Sequence, residues 1–218
     1  MLLKFGYRIS KTNTTGQYNT AIGMNALRDN IDGNDNTASG TSALELNTSG
    51  NQNVAIGTSA LYNNTTGSSN VVMGFEGAYN LVNGGNNTVI GDQAYFRGTT
   101  GNNNTVVGSS SLRFNSSAPA SYTGSSNTVV GSQSMQNITS GSDNVAFGYQ
   151  AMNDVTTGNN NVAIGNITLG GNNCSNCVAV GYEALRYNYA DANVGVGFQA
   201  LTNNTGGSSN TAIGTNSL

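Results

Sequence analysis

The chain has 218 residues, with 7 Lys and Arg against 10 Asp and Glu, and only 8% of its residues are charged. So little charge of either sign excludes a nucleic-acid or anionic-membrane surface. With no His, the commonest general base and metal ligand is also missing. No stretch approaches the ~20 apolar residues that cross a bilayer, and residues 1–5 are too short for a signal peptide.

From the start of the chain one phrase dominates. Asn-Thr-Ala-Ile-Gly ends at Gly23, and variants of it end at Gly40, Gly57, Gly74, Gly91, Gly108, Gly131, Gly148, Gly165, Gly181, Gly197 and Gly214. The spacing is 17 residues, apart from one step of 23 and two of 16. A short fixed period over a whole chain means stacked copies of one supersecondary unit. Gly6 lies seventeen residues before Gly23, with Phe5 in the Ile place and Leu3 in the Thr place, so 1–16 reads as a degenerate first coil.

Four residues before each corner glycine stands an Asn: Asn19, Asn36, Asn53, Asn70, Asn87, Asn104, Asn127, Asn144, Asn161, Asn193 and Asn210, with Cys177 in the remaining place. Stacked coils turn that row into a ladder of side-chain amides. Three before the glycine is Thr or Val, as at Thr20 and Val54, and one before is a large apolar residue, as at Ile22 and Ile56. These two rows share one face of a strand and are expected to face the interior. The small row between them includes Ala21, Ala38 and Ala55. After the glycine, a small residue and then a large one (Ala26 and Leu27, Ala43 and Leu44) predict a second short strand. A polar turn follows, and its glycine (Gly16, Gly33, Gly50) suits a positive φ.

The chain is therefore predicted to be all-β: one elongated parallel β-solenoid domain over 1–218, of about 12–13 coils. At ~4.8 Å per layer the rod is on the order of 60 Å long. A helical solenoid fails against two Gly per repeat and the absence of a 3.6-residue period. The 23-residue step places an outward turn insertion at 113–123, and the 16-residue steps shorten the same turn.

The phrases Asn-Thr-Ala-Ile-Gly, Asn-Val-Ala-Ile-Gly and Asn-Val-Ala-Phe-Gly, each followed by a small-then-large pair, resemble the head repeats of trimeric autotransporter adhesins. They are similar also to repeats of phage and viral tail fibres. The resemblance covers nearly the whole chain. It implies left-handed coils, association of three chains, and binding to host or matrix surfaces. The period of 17 is longer than is usual in adhesin heads, and no neck, stalk or anchor is recognisable.

Candidate contact residues follow from the rows. Tyr62, Tyr79 and Phe96 occupy one row in successive coils, with Arg113 next, placed to lie over Phe96. Such a strip suits sugar rings, or else is a surface stacking ladder. Tyr149, Tyr182 and Phe198 follow corner glycines in later coils, and the insertion carries Phe114 and Tyr122. The small-residue rows either admit a neighbouring chain or fill the coil. Cys174 and Cys177 lack the further ligands that a metal site needs, which leaves a disulfide or two free thiols. The carboxylates scatter over variable positions, without the paired acids of glycosidase chemistry.

The sequence thus points to a non-enzymatic structural or adhesive fibre segment without cofactor, catalytic residue or metal. It belongs outside the cell, on a cell surface or in a virion. Its expected partners are itself, as a homotrimer, and a host glycan or protein, with no nucleic acid and no membrane insertion. The alternative is a filament subunit that stacks end to end through uncapped sheet edges. Ice binding is a third, lesser reading, disfavoured here because the Thr row is expected inside.

Overall fold

The computed structural model of the chain describes residues 2–8, 11–113, 122–171 and 173–218. Its strands are β1 (Leu2–Phe5), β2 (Asn19–Ile22), β3 (Thr37–Ser39), β4 (Val54–Ile56), β5 (Val71–Met73), β6 (Thr88–Ile90), β7 (Thr105–Val107), β8 (Thr128–Val130), β9 (Val145–Phe147), β10 (Val162–Ile164), β11 (Val178–Val180), β12 (Val194–Val196) and β13 (Thr211–Ile213). They form a single 13-stranded sheet in sequence order, with all neighbouring pairs parallel. The fold is the all-β parallel solenoid that the spacing predicts. Equivalent letters of the repeat pair directly, as in Thr37↔Val54 and Ala38↔Ala55. The first coil obeys the same register, with Leu3↔Thr20 and Phe5↔Ile22.

The facing of the strand corrects the sequence reading. The middle row is buried and the two outer rows point to solvent: Ala21, Ala38 and Ala55 are fully buried, while Ile22 is 43% and Ile56 39% exposed. The reason is volume. The interior already holds a column of large side chains from the opposite wall, Leu27, Leu44 and Leu61, each fully buried. A coil this thin has room opposite that column for Ala or Val, and the larger row is turned out. The small rows therefore fill the coil and are not a landing surface for another chain.

That opposite wall is not a strand. Ala26 and Leu27 are consecutive and both buried, which a pleated strand with alternating side chains forbids. The chain solves this with left-handed residues: Asn25 at φ 58° and Leu27 at φ 51°, repeated at Ser42 and Leu44 and at Ser59 and Leu61. A non-glycine residue there costs roughly 1–2 kcal/mol. Coil-to-coil backbone bonds offset the cost, such as Leu27 N–H to Ala43 O at 3.0 Å and Leu44 N–H to Ala60 O at 3.0 Å.

Where one interior residue changes, its neighbours compensate. Val72 replaces Ala in the inner strand row, and a Cβ on Gly77 would meet its Cγ1 at 2.9 Å. Ala78 vacates the Leu place and Leu81 fills it from the turn; both are fully buried. Tyr95 takes the Leu place with its ring over Gly98, whose Cβ would lie 2.3 Å from the Tyr95 Cζ.

The glycines divide into two roles. The corner glycines hold φ between 122° and 144°, a region almost closed to other residues. The turn glycines do not have the positive φ expected of them. They are required by close approach: a Cβ on Gly50 would sit 2.3 Å from the Gly67 carbonyl oxygen.

Buried amides fix the register. The Asn36 N–H donates to Asn19 Oδ1 at 2.9 Å, and Asn19 Nδ2 donates to Gly33 O at 2.8 Å. The same pair of bonds recurs through Asn161, whose Oδ1 accepts the Cys177 N–H at 2.9 Å. Beyond Cys177 the row resumes, with the Asn210 N–H on Asn193 Oδ1 at 2.8 Å.

A second amide ladder, which the sequence reading passed over, runs through the turn. Asn30 Nδ2 donates to Asn13 Oδ1, Asn47 to Asn30 and Asn64 to Asn47, at 2.6, 2.7 and 2.8 Å. It stops at Leu81, which has no side-chain donor, and Asn64 Oδ1 is accordingly left buried without a partner. On the outside a third row of Asn and Ser oxygens accepts backbone N–H groups, as in the Asn34 N–H on Asn51 Oδ1 at 2.8 Å.

Candidate interaction surfaces

Because the strand turns its larger rows outward, one side of the rod is an apolar strip. Val71 and Met73 of β5, Ile90 of β6, Val145 and Phe147 of β9, and Ile164 of β10 are all exposed. Met24, Phe75, Tyr149, Tyr182 and Phe198, each immediately after a corner glycine, are exposed as well. Most of the large exposed hydrophobic side chains lie in these rows, and Phe147 is 54% exposed. Contiguous apolar surface beyond a few hundred Å² marks an interaction site on a soluble protein. Thirteen rungs at ~4.8 Å, about 12 Å wide, give on the order of 700 Å². The outer Thr/Val row alternates between hydroxyl-bearing and purely apolar rungs, as at Thr37, Val54, Val71 and Thr88.

A neighbouring wall carries the predicted aromatic row. Tyr62 and Tyr79 stack with centroids 5.0 Å apart and planes 2° from parallel; Tyr79 and Phe96 follow at 5.3 Å and 20°. The rings turn their faces to one another and present their rims outward. This is a stacking ladder, and the inner ring faces are not free for a sugar. Arg28 and Glu45 continue the row on the other side as an ion pair. Burial raises the Tyr62 pKa, with Glu45 adding to the shift. Arg113 follows Phe96 half-buried, and it is not among the cation–π contacts of the described residues, which are Arg8 over Tyr7 and Arg186 over Tyr187. Tyr182 and Phe198 form a second stack at 5.4 Å.

Tyr122 was expected on an outward bulge and is instead fully buried. It packs edge-on against Tyr95 at 5.6 Å, and its hydroxyl donates to Gly141 O at 3.0 Å. The physical reason is twofold: the backbones of Gly98 and Tyr122 pair directly, and the side-chain space that Gly98 leaves is filled by the Tyr95 ring while that of Gly124 is filled by the Tyr122 phenol. Desolvation raises the pKa of both phenols well above the usual value. Phe114 lies outside the described residues. On either side of the insertion the stack continues, with the Leu112 N–H on Ser134 O at 2.9 Å and the Thr123 N–H on Thr139 O at 3.2 Å.

Cys174 and Cys177 are buried free thiols. The Cys177 sulfur lies 3.5 Å from Asn188 Nδ2, and its thiol faces the carbonyl oxygens of Ala190 at 3.5 Å and Ser175 at 3.8 Å. Hydrogen bonding from Cys174 holds the Cys177 thiol below its ordinary pKa, and the same bond pushes Cys174 up.

The best-buried carboxylates are engaged. Glu45 meets Arg28, while Glu183 meets Arg186 and accepts from Gln199 Nε2 at 2.7 Å. Among the described residues no group of three or more His, Cys, Asp or Glu could hold a metal ion. No helix of the described residues is long and apolar enough to cross a membrane.

No protein-family model, curated protein sequence or solved structure matches the chain.

Proposed function

We propose that the chain is a non-enzymatic fibre segment: a stiff rod that associates side by side through its apolar strip and presents its turns and outer aromatic side chains to a surface or receptor. The observation that carries this reading is the outward facing of the Ile/Val and Thr/Val rows along the whole sheet. A lone rod would leave Ile56, Met73, Ile90, Phe147 and Ile164 in water. Burying such side chains stabilises by ~1.5–3 kcal/mol each, and a strip on the order of 700 Å² is close to the ~800 Å² per partner of a stable interface. Further copies of the same chain fit the strip best, since its rungs repeat with the same spacing on every copy. The resemblance to adhesin heads suggests three copies, and an extracellular, cell-surface or virion setting.

Sedimentation of the purified chain tests this, alongside the variants Ile90→Lys and Phe147→Glu. A defined oligomer of fixed length that dissociates in the variants, with far-UV circular dichroism unchanged, is the expected result. A monomer at micromolar concentration would overturn side-by-side association. Open-ended fibres in negative-stain images would favour end-to-end stacking.

A further inference from the structure

The three rows that form the apolar strip hold a single charged residue. From Leu3, Phe5 and Tyr7 in the first coil to Thr211, Ile213 and Thr215 in the last, every residue of these rows is uncharged except Asp92. It follows the corner glycine Gly91, two residues beyond Ile90 of β6, and it is exposed. Its row neighbours are Phe75 on the coil below, 48% exposed, and Ser109 on the coil above. Among the described residues the ion pairs take Asp29, Glu45 and Glu183, not Asp92. Asp92 contributes its backbone oxygen instead, which accepts the Ser110 N–H at 2.9 Å. The charged group beside it is Glu76, one row over on the coil below, whose Oε2 accepts from Gln93 Nε2 at 2.7 Å. The 7 cations lie elsewhere. Lys4, Arg8 and Lys11 belong to the first coil, and β1 is five rungs from β6, or about 24 Å. Arg28, Arg97, Arg113 and Arg186 belong to the wall of the aromatic row.

We infer that side-by-side association of the rods is proton-coupled: covering the strip takes up a proton at Asp92 on each copy. The inference rests on the side-by-side reading of the strip. A copy that covers the strip presents the same three rows, so no register or direction puts a cation from them against Asp92. A facing Thr or Ser hydroxyl carries no charge to offset the lost water. Taking an unpaired carboxylate out of water disfavours its charged form, and Glu76 on the same copy adds like charge. The assembled state therefore binds more protons than the separate rods, and association strengthens as pH falls. The ceiling is one proton per copy, or about a tenfold change in the association constant per pH unit for each copy.

Sedimentation of the full chain between about pH 7.5 and about pH 5, with a chelator present, reads the association constant and its proton linkage. The wild type is expected to associate more tightly at each step down in pH. Asp92→Asn removes the charge and keeps the shape at an exposed position without a side-chain partner. It is expected to associate about tenfold more tightly per copy at neutral pH, and to lose most of the pH dependence. Asp154→Asn makes the same change of charge at an exposed position outside the strip. It is expected to behave as the wild type, which separates Asp92 from the general fall in net charge towards the pI of about 4.6. Far-UV circular dichroism should be the same for all three chains. Association that ignores pH, or weakens on acidification, would overturn the inference and leave the side-by-side reading standing. So would an Asp92→Asn chain with the wild-type pH dependence. Wild-type and Asp92→Asn rods that both stay monomeric throughout would overturn the inference and the side-by-side reading together.

Discussion

Removing one amide from the middle of the principal ladder is a sharp probe of the stacking. Asn70 Nδ2 donates to Gly84 O at 2.9 Å, and Asn70 Oδ1 accepts the Asn87 N–H at 3.0 Å. Asn53 Oδ1 and Asn87 Nδ2 also touch Asn70, but each keeps another partner, the Asn70 N–H and Gly101 O respectively. Asn70→Ala therefore orphans two buried backbone groups, the Gly84 carbonyl and the Asn87 N–H. At ~1–3 kcal/mol for each unsatisfied group, the loss is about 2–6 kcal/mol. Urea unfolding followed by far-UV circular dichroism gives the total, and native-state amide exchange at Asn87 locates it, since a solenoid can open locally. Thr66→Ala, an exposed change in the same coil, serves as control and should stay within ~0.5 kcal/mol. Asn70→Asp keeps the shape and loses the donor. Its carboxyl, buried against two oxygens, takes a raised pKa, so the stability present below the unfolded value near 4 is lost as pH rises. A cost for Asn70→Ala within error of the control would refute the ladder as a structural element.

Other consequences follow from the same packing. Gly91→Ala puts a Cβ 2.5 Å from the Gly108 carbonyl oxygen at φ 140°; a loss of roughly 3 kcal/mol or more, or no folded protein, is expected in thermal melts. Leu81→Asn and Ala78→Leu should each destabilise alone, by unfilled or overfilled space. Together they restore the Leu-and-Asn arrangement of the earlier coils and give Asn64 Oδ1 a donor, so a double-mutant cycle should show favourable coupling of about 1 kcal/mol or more. Burial raises the pKa of Tyr95 and Tyr122 above their unfolded value near 10. Their contribution is thus intact below pH 10 and lost as pH rises above it, and Tyr122→Phe should weaken this alkaline sensitivity in pH-jump unfolding. Tyr79→Ala should lower adhesion to a receptor-bearing surface if the aromatic ladder's rims make the contact, and leave sedimentation unchanged. An ice-recrystallisation assay on the purified chain should be negative, because bulky Met73, Phe75, Phe147 and Tyr149 interrupt the flatness of the strip.

The period, the parallel stack, the strand register and the principal Asn ladder were all legible in the spacing, because a solenoid writes its axis directly into the sequence. Facing was not. Reading the larger rows as interior is sound for a sandwich, and it fails here because Leu27 and its equivalents already fill a narrow coil. A clue was present: Ala26 and Leu27 are adjacent and belong to two steady rows. Alternation forbids both from sharing one side of a strand, so that segment had to leave β geometry. The second ladder was also written in the chain, in Asn13, Asn30, Asn47 and Asn64 at intervals of 17. It was hidden because a polar turn reads as solvent-facing, although the glycine three residues on draws the amide in. The burial of Tyr122 was not legible, since it depends on pairing with Gly98 and packing on Tyr95 in the preceding coil.

The distance between spin labels on two coils far apart in sequence measures the stacking itself. Asp35 and Asn160 are both exposed and hold the same place in their coils, with β3 to β10 marking seven steps along the sheet. Labelled as cysteines in a background without Cys174 and Cys177, and diluted with unlabelled chain, they should give one narrow peak near ~34 Å, seven times the ~4.8 Å strand spacing. A broad distribution, or a peak displaced by ten ångströms or more, would contradict the account.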